Sequence, residues 1–220
     1  MVVVPLVVAG SWLDPVMSVR HLYLTRHAEP DDDGRLTERG VQQATLLGRR
    51  LSDVPFRSVQ HGPLPRARET AQLVAGQLHS HVPVVELDAV GDYIPHVPSS
   101  DEVDAEYRAG AMAFLGDVSL AEATQGAELA AEAIRLLTGP NQSQDDSHHL
   151  VVTHAFTIGW LVRHACDAPP WRWLGLDNGH AALTVLRYFT DRPPTIVVFN
   201  EMSHLPVELR WTGFPTHLGL

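Results

Sequence analysis

The sequence contains no lysine, and all 16 of its basic residues are arginine. This absence excludes a P-loop lysine, a Schiff-base lysine and a lysine that carries pyridoxal phosphate. An anionic ligand would have to be held by arginine, histidine and backbone N–H groups. The 26 acidic residues outnumber the basic ones and give a formal net charge of -10, which argues against a nucleic-acid-binding surface.

Cysteine is nearly absent as well. The single residue of this type, Cys166, cannot form an intramolecular disulfide, so the composition favours the reducing cytoplasm as the location. It follows the apolar pattern Trp160, Leu161 and Val162. This pattern predicts a buried structural thiol and not a nucleophile.

Long hydrophobic runs are also missing. The apolar segment Val2–Ala9 is too short to span a bilayer, and no basic residues precede it as they would in a secretory signal, so no membrane partner is expected. Because Met17 directly precedes the first predicted strand, we interpret residues 1–16 as an N-terminal extension from an early start, and residues 17–220 as a single domain. The alternative role for residues 1–16 is an added edge strand or a homodimer contact.

Apolar segments of strand length alternate with helical patterns along the rest of the chain. This order predicts an α/β fold, a three-layer α/β/α sandwich on a mostly parallel central sheet. Residues 93–120 interrupt the pattern with prolines, acids and one short helix, and we interpret them as a small cap insertion over the strand ends. The predicted strands are His21–Thr25, Phe56–Gln60, Val82–Glu86, His149–Thr153, Ala181–Tyr188 and Thr195–Phe199.

Two histidines follow buried strands. Arg26 and His27 come at the end of the first predicted strand, and His154 comes directly after the strand His149–Thr153. In sheets of this kind, ligands bind beyond the carboxyl ends of the strands. A neutral imidazole is a nucleophile at working pH, and a guanidinium matches the oxygens of a phosphate. The pattern therefore predicts a phosphate site with a histidine nucleophile.

Four ordered sequence blocks carry a resemblance to a known family. They read TRHAE at 25–29, LTERG followed by QA at 36–44, PLPRARETA at 63–71 and VVTHA at 151–155. In this order and at these spacings, the chain from about Val19 to Phe199 resembles the histidine phosphatase superfamily, or phosphoglycerate mutase-like fold. The branch it resembles best is the mitochondrial Ser/Thr-phosphatase type. The resemblance implies a phosphomonoesterase that forms a phosphohistidine intermediate and needs neither a metal nor a cofactor.

The resemblance also assigns roles to four residues. His27 would be the nucleophile, Arg26 and Arg66 would bind the phosphoryl oxygens, and His154 would be a second imidazole that donates to the same group. Arg66 follows Pro65 at a predicted helix start, where an anion site belongs. Arg68, two positions further on, should face away from the pocket.

A leaving alkoxide needs a proton, so a carboxylic acid should lie opposite His27. In the family this acid follows the third strand. We choose Asp92, which lies deepest in that loop beside Gly91, and keep Glu86 as the second candidate.

Other candidates complete the predicted site. His61 stands where the family often has serine, and Asn178 lies in a turn predicted to be near the pocket. No metal site is expected, because the close histidine pairs His79/His81 and His148/His149 lack a nearby third ligand in sequence.

The segments that distinguish mutases from phosphatases favour hydrolysis. Mutases of the family carry an asparagine several residues past the nucleophile and a glutamate after strand three, and both are missing here. The cap has only His96 and Arg108 as basic residues, so we expect a small phosphorylated metabolite with a neutral or apolar remainder. A protein Ser/Thr phosphatase, a phosphoglycerate mutase-type phosphotransferase and a non-catalytic scaffold stay open. The residues expected to pack the remainder are Tyr93, Ile94, Pro95, Tyr107 and Phe114.

Overall fold

A computed structural model describes residues 18–140 and 145–214. The predicted extension, residues 1–16, lies outside the described residues. The described residues form a six-stranded sheet with the strand order β3-β2-β4-β1-β5-β6. The strands are β1 Arg20–Arg26, β2 Phe56–His61, β3 Val84–Glu86, β4 Ser147–Thr153, β5 Leu183–Tyr188 and β6 Thr195–Glu201.

Within residues 18–140 and 145–214, five α-helices accompany these strands. They are α1 Glu38–Arg50, α2 Pro65–Ala75, α3 Arg108–Leu115, α4 Leu120–Leu137 and α5 Ala155–Ala165. Short 3-10 helices, which the sequence patterns do not predict, lie at Asp88–Val90, Pro170–Gly175 and Val207–Leu209.

The helix boundaries follow local capping chemistry. Thr37 begins α1, because its hydroxyl accepts a hydrogen bond from the N–H of Gly40 at 3.0 Å. Ser119 and Glu122 form a capping box at the start of α4. Helix α2 begins at Pro65, where the sequence predicts a helix start, and ends at Ala75 with Gly76 as its C-cap residue.

The core lies on both faces of the sheet. On one face, α1 and α2 pack through apolar residues such as Leu47 and Ala71 against Val59, Leu150 and Val152. On the other face, α4 and α5 cover alternate strand residues, with Leu137, Ile158 and Leu161 packing against Leu22, Leu24 and Val151. This alternation is what strands buried on both faces require, and the predicted three-layer sandwich is confirmed.

The two central strands position the site. β1 and β4 are parallel neighbours, and Arg26 pairs with Thr153 at the last position of their ladder. The N–H of His27 continues the ladder by donating to the carbonyl of Thr153 at 2.9 Å. His27 and His154 therefore emerge side by side at one edge of the sheet, although 127 positions separate them in sequence.

Two regions outside the sheet are the segment before α4 and the end of α5. The segment from 93 to 119 is largely irregular and contains α3; the interpretation of residues 93–120 as a cap insertion stays a prediction, and we call this segment the cap. Cys166, which ends α5, is exposed, so the prediction of a buried thiol is wrong. The apolar pattern before it buries Leu161 and Val162, and the helix ends before Cys166 can share their face. No helix among the described residues combines the length and apolarity needed to cross a membrane.

Candidate active site

His27 is buried at the end of β1, and two hydrogen bonds hold its ring. Its Nδ1 lies 2.8 Å from the carbonyl oxygen of Ala28, which can only accept, so Nδ1 carries the hydrogen. Its Nε2 lies 3.1 Å from Nε of Arg66, which can only donate. The neutral ring thus presents an unprotonated Nε2, the form that attacks phosphorus.

Burial keeps His27 in this neutral form. Removal from water disfavours the imidazolium, and the neighbouring His154 and the Arg26 guanidinium add to the effect, so the pKa of His27 lies well below its ordinary value. The carbonyl of Ala28 opposes the shift without cancelling it. His27 is therefore available as a nucleophile throughout the neutral range.

Two guanidinium groups border the ring. Arg66, near the start of α2, donates from Nη2 to Oδ2 of Asp92 at 2.7 Å while its Nε faces His27. Arg26 donates from Nη1 to the backbone carbonyl of Asn178 at 2.9 Å. The predicted candidate Asn178 thus orients Arg26 through its carbonyl, while its side-chain amide donates to the carbonyl of Leu176.

His154 supplies a second buried imidazole. It precedes α5, and its ring centroid lies 5.0 Å from that of His27. Neither of its ring nitrogens has a hydrogen-bond partner among the described residues, although Nδ1 lies 3.5 Å from Oδ2 of Asp92. Burial lowers the pKa of His154 to about 4, against the opposing effect of Asp92. An unpartnered, buried polar ring is costly unless a ligand satisfies it, which makes this pocket a polar binding site.

Threonine hydroxyls hold the loop that carries Asp92. Thr153 donates to the carbonyl of Val90 at 2.6 Å, and Thr157 donates to the carbonyl of Gly91 at 2.8 Å. Gly62 permits this approach, since a Cβ there would lie 2.6 Å from the carbonyl oxygen of Val90. Asp92 is therefore placed by β4 and α5, the elements that also present His154.

Two other sequence candidates lie outside this cluster. Glu86 is on the edge strand β3, is exposed and forms an ion pair with Arg68, so it does not face His27 as a proton donor would. Arg68 faces away from the pocket, as predicted. His61 is buried at the end of β2, where its Nδ1 donates to the carbonyl of Gly62 at 2.8 Å. Within the described residues, His61 makes no ring contact with His27 or His154.

One residue of the cluster is missing from the sequence-based prediction. His180 is buried, and its ring centroid lies 5.1 Å from that of His27. It comes just after the turn at Leu176–Gly179 and before β5, so no apolar strand leads into it as one does into His27 and His154. The signal that could have identified His180 is its position in the sequence, two residues after the predicted candidate Asn178.

A cleft of about 550 Å³ opens beside Asp92, between the cap and α4. Tyr93 and Ile94 line it as predicted, but Pro95, Tyr107 and Phe114 do not. Tyr107 and Phe114 instead lie on a separate groove with Trp171, because the cap helix α3 turns these side chains toward the 3-10 helix at Pro170–Gly175. The full lining consists of Asp92, Tyr93, Ile94, Leu115, Asp117, Val118, Glu122, Gln125, Gly126, Leu129 and Phe156.

Comparison with known families agrees with this geometry. A sequence profile of the histidine phosphatase superfamily (branch 1) matches residues 22–202. The chain belongs to this superfamily. The match begins in β1 and ends just after β6, so it contains all but the first two residues of the sheet and every residue of the cluster described above.

One similar protein of known sequence is a mitochondrial phosphatase. The chain is 28% identical over 197 residues to the serine/threonine-protein phosphatase Pgam5, mitochondrial, of Caenorhabditis briggsae, covering 84% of this chain and 64% of the relative. The chain thus spans less than two thirds of that relative's length.

Solved structures share the fold at lower identity. The alpha-ribazole phosphatase from Shigella flexneri superposes with a TM-score of 0.63 at 22% identity, covering 82% of this chain and 96% of that one. The phosphoglycerate mutase from Plasmodium falciparum gives 0.58 at 18%, covering 86% and 96%. Because both phosphatases and mutases have this fold, the likeness concerns architecture alone.

Proposed function

We propose that this protein hydrolyses a small phosphate monoester through a phosphohistidine on His27. The observation that carries the proposal is the unprotonated, buried Nε2 of His27, which faces the Nε–H of Arg66. The Arg26 guanidinium and the neutral imidazole of His154 lie beside it. A nucleophile, two guanidinium groups and a carboxyl group at one sheet edge are the parts that phosphoryl transfer requires.

The proposed reaction has two displacements at phosphorus. Nε2 of His27 attacks phosphorus as the bond to the alcohol oxygen breaks, and the protonated carboxyl of Asp92 gives its proton to that oxygen. The Asp92 carboxylate then takes a proton from water, whose oxygen attacks phosphorus as the P–N bond breaks. Inorganic phosphate leaves, and His27 returns to its neutral form.

The cleft beside Asp92 supports a metabolite without a second anionic group. Asp117 and Glu122 lie on its lining together with apolar side chains, and the lining contains neither arginine nor histidine. A second phosphate or a carboxylate on the substrate would meet like charges there. This charge pattern disfavours a mutase that must hold a doubly phosphorylated sugar acid.

A protein Ser/Thr phosphatase is the second candidate. It is favoured by the 28% identity to the serine/threonine-protein phosphatase Pgam5 of Caenorhabditis briggsae. A phosphopeptide would have to place its phosphoryl group at His27 while its backbone crosses the open cleft.

We expect p-nitrophenyl phosphate turnover that survives excess EDTA. A panel of small neutral monoesters should then give higher kcat/KM values than doubly anionic esters or phosphoserine and phosphothreonine peptides. A higher kcat/KM for the peptides would favour the second candidate. The absence of turnover with every ester, by a folded protein, would contradict the proposed function and favour the scaffold.

Asp92→Asn should lower kcat/KM strongly for alkyl phosphates and much less for p-nitrophenyl phosphate. An alkoxide leaves poorly without a proton, whereas a nitrophenolate needs little help. Asp92 would also activate the water that hydrolyses the phosphohistidine, so the comparison depends on which step limits the rate. A pre-steady-state burst of alcohol release identifies that step.

The matched control is Glu86→Gln, which removes the other candidate carboxylate at an exposed position paired with Arg68. It should leave both substrates nearly unaffected. Equal losses of Asp92→Asn on both substrates, with no burst, would exclude Asp92 as the acid.

A further inference from the structure

We propose that His180 donates a hydrogen bond from Nε2 to the phosphoryl group, and that Thr212 and Gln43 hold it in the tautomer this requires. The proposal deepens the proposed function and rests on it for the identity of the ligand. His180 would then be a third imidazole of the phosphate site, and it comes from the segment of the chain that leads into β5.

The backbone around His180 is tied to the nucleophile's strand. The N–H of His180 donates to the carbonyl of Thr212 at 3.2 Å, and the N–H of Ala181 donates to the carbonyl of Arg26 at 3.0 Å. The ring centroid of His180 lies 5.1 Å from that of His27, with an angle of 41° between the rings. These bonds fix the position of His180 relative to the reacting nitrogen.

A chain of hydrogen bonds determines the tautomer. The Gln43 side chain accepts from the N–H of Glu29 at 2.8 Å, which orients its amide, and its Nε2 donates to Oγ1 of Thr212 at 2.8 Å. Oγ1 of Thr212 lies 3.0 Å from Nδ1 of His180. Within the described residues the Thr212 hydroxyl has no other acceptor for its own hydrogen, so we infer that it directs this hydrogen to Nδ1. A neutral imidazole that accepts at Nδ1 carries its hydrogen on Nε2.

The ring is held neutral, so this tautomer persists at working pH. Burial lowers the pKa of His180 to about 3, and the cationic Arg26 and Arg66 add to the effect. His180 is therefore a neutral donor and not a proton-transfer group. Within the described residues its Nε2 has no hydrogen-bond partner.

Gly213 packs closely against Nε2 of His180 and against the Arg26 guanidinium. Gly213 has a φ of +88°, and a Cβ built there would lie 2.7 Å from Nη1 of Arg26 and 3.0 Å from Nε2 of His180. The absence of a side chain on Gly213 therefore permits this approach, and the guanidinium and the donor edge of the imidazole lie next to each other. Two neighbouring donors of this kind can bind oxygens of one phosphoryl group.

Two substitutions of His180 distinguish the effect of losing the donor nitrogen from the effect of losing the imidazole ring. His180→Gln can place an amide nitrogen near the position of Nε2, whereas His180→Asn reaches only the position of Nδ1. We expect His180→Asn to lower kcat/KM about 100-fold, as when one donor to a developing oxyanion is removed. His180→Gln should stay within about tenfold of wild type. Equal losses in the two variants would contradict the proposal.

Thr212 tests the origin of the tautomer. In long-range ¹H–¹⁵N NMR spectra at pH 7, His180 should appear as the Nε2–H form, and inorganic phosphate should shift its Nε2–H resonance. Thr212→Val should mix the two tautomers and weaken phosphate binding, while Thr212→Ser, which keeps the hydroxyl, should match wild type. An Nδ1–H form in the wild type, or a resonance that phosphate does not shift, would overturn the proposal.

The two readouts distinguish this proposal from the proposed function. If the wild type turns over no ester, the hydrolase assignment fails, while the NMR and phosphate-binding measurements still test His180. If esters are hydrolysed normally and His180→Asn binds phosphate as tightly as wild type, the role of His180 alone is wrong.

Discussion

His27→Ala should reduce ester hydrolysis by at least about three orders of magnitude and leave the fold intact. The variant removes the one nitrogen that can form the covalent intermediate, and the remaining groups cannot replace it. The change deletes a side chain that reaches into a polar pocket and not into either apolar core cluster. Far-UV circular dichroism and the urea midpoint should therefore remain close to wild type.

The direct measurement is rapid quenching of the wild type with a ³²P-labelled ester. It should trap an acid-labile, base-stable phosphoenzyme that maps to His27 and is absent from the alanine variant. His148→Ala is the matched control, because this histidine lies half-buried at the opposite end of β4 and contacts His21 and Tyr23. A folded His27→Ala variant with more than a few per cent of wild-type turnover would remove His27 as the nucleophile.

The part of the site that could be predicted from sequence depends on strand ends. His27 and His154 each follow a continuous apolar run, and in a parallel sheet such runs deliver their next residues to one edge. Arg66 follows a proline that marks a helix start. The strand ends predict that His27 and His154 lie at one edge of the sheet, and the resemblance to the family adds Arg66 and the role of His154.

The rest of the site depends on contacts that have no local signature. His180 reaches the pocket because its backbone pairs with Thr212 and its neighbour Ala181 pairs with Arg26. Glu86 lies on the short strand β3 and Asp92 in the loop after it, and the hydrogen bonds from Thr153 and Thr157 hold that loop near the cluster. Tertiary hydrogen bonds of this kind cannot be predicted from apolar periodicity.

The orientation of the cap helix likewise could not be predicted from the sequence. The sequence predicts one short helix in the cap, and this helix is found at Arg108–Leu115. The face that it turns toward the cleft depends on the packing of Tyr107 against Trp171. The residues that line the cleft beside Asp92 therefore include Leu115 and Phe156, while Tyr107 lies on a different groove.

Arg66→Ala should lower kcat by about 100- to 1,000-fold and change KM much less. In the structure without substrate, the guanidinium uses Nε toward His27 and Nη2 toward Asp92. Once a phosphoryl group occupies the pocket, the same two N–H groups can donate to its oxygens, whose charge must be stabilised most in the transition state. Removing a donor aimed at that charge affects the rate more than ground-state binding.

The geometry also predicts that lysine cannot replace this arginine. The two contacts come from different nitrogens of one planar fork, and a lysine ammonium is a single point charge that cannot span both. Arg66→Lys should therefore recover little of the lost kcat. Arg68→Ala is the matched control, since Arg68 lies two positions along the same helix and pairs with Glu86 outside the pocket. Steady-state kinetics of the three variants decide the matter: a loss confined to KM, or an equal loss in Arg68→Ala, would mean that Arg66 does not stabilise the transition state.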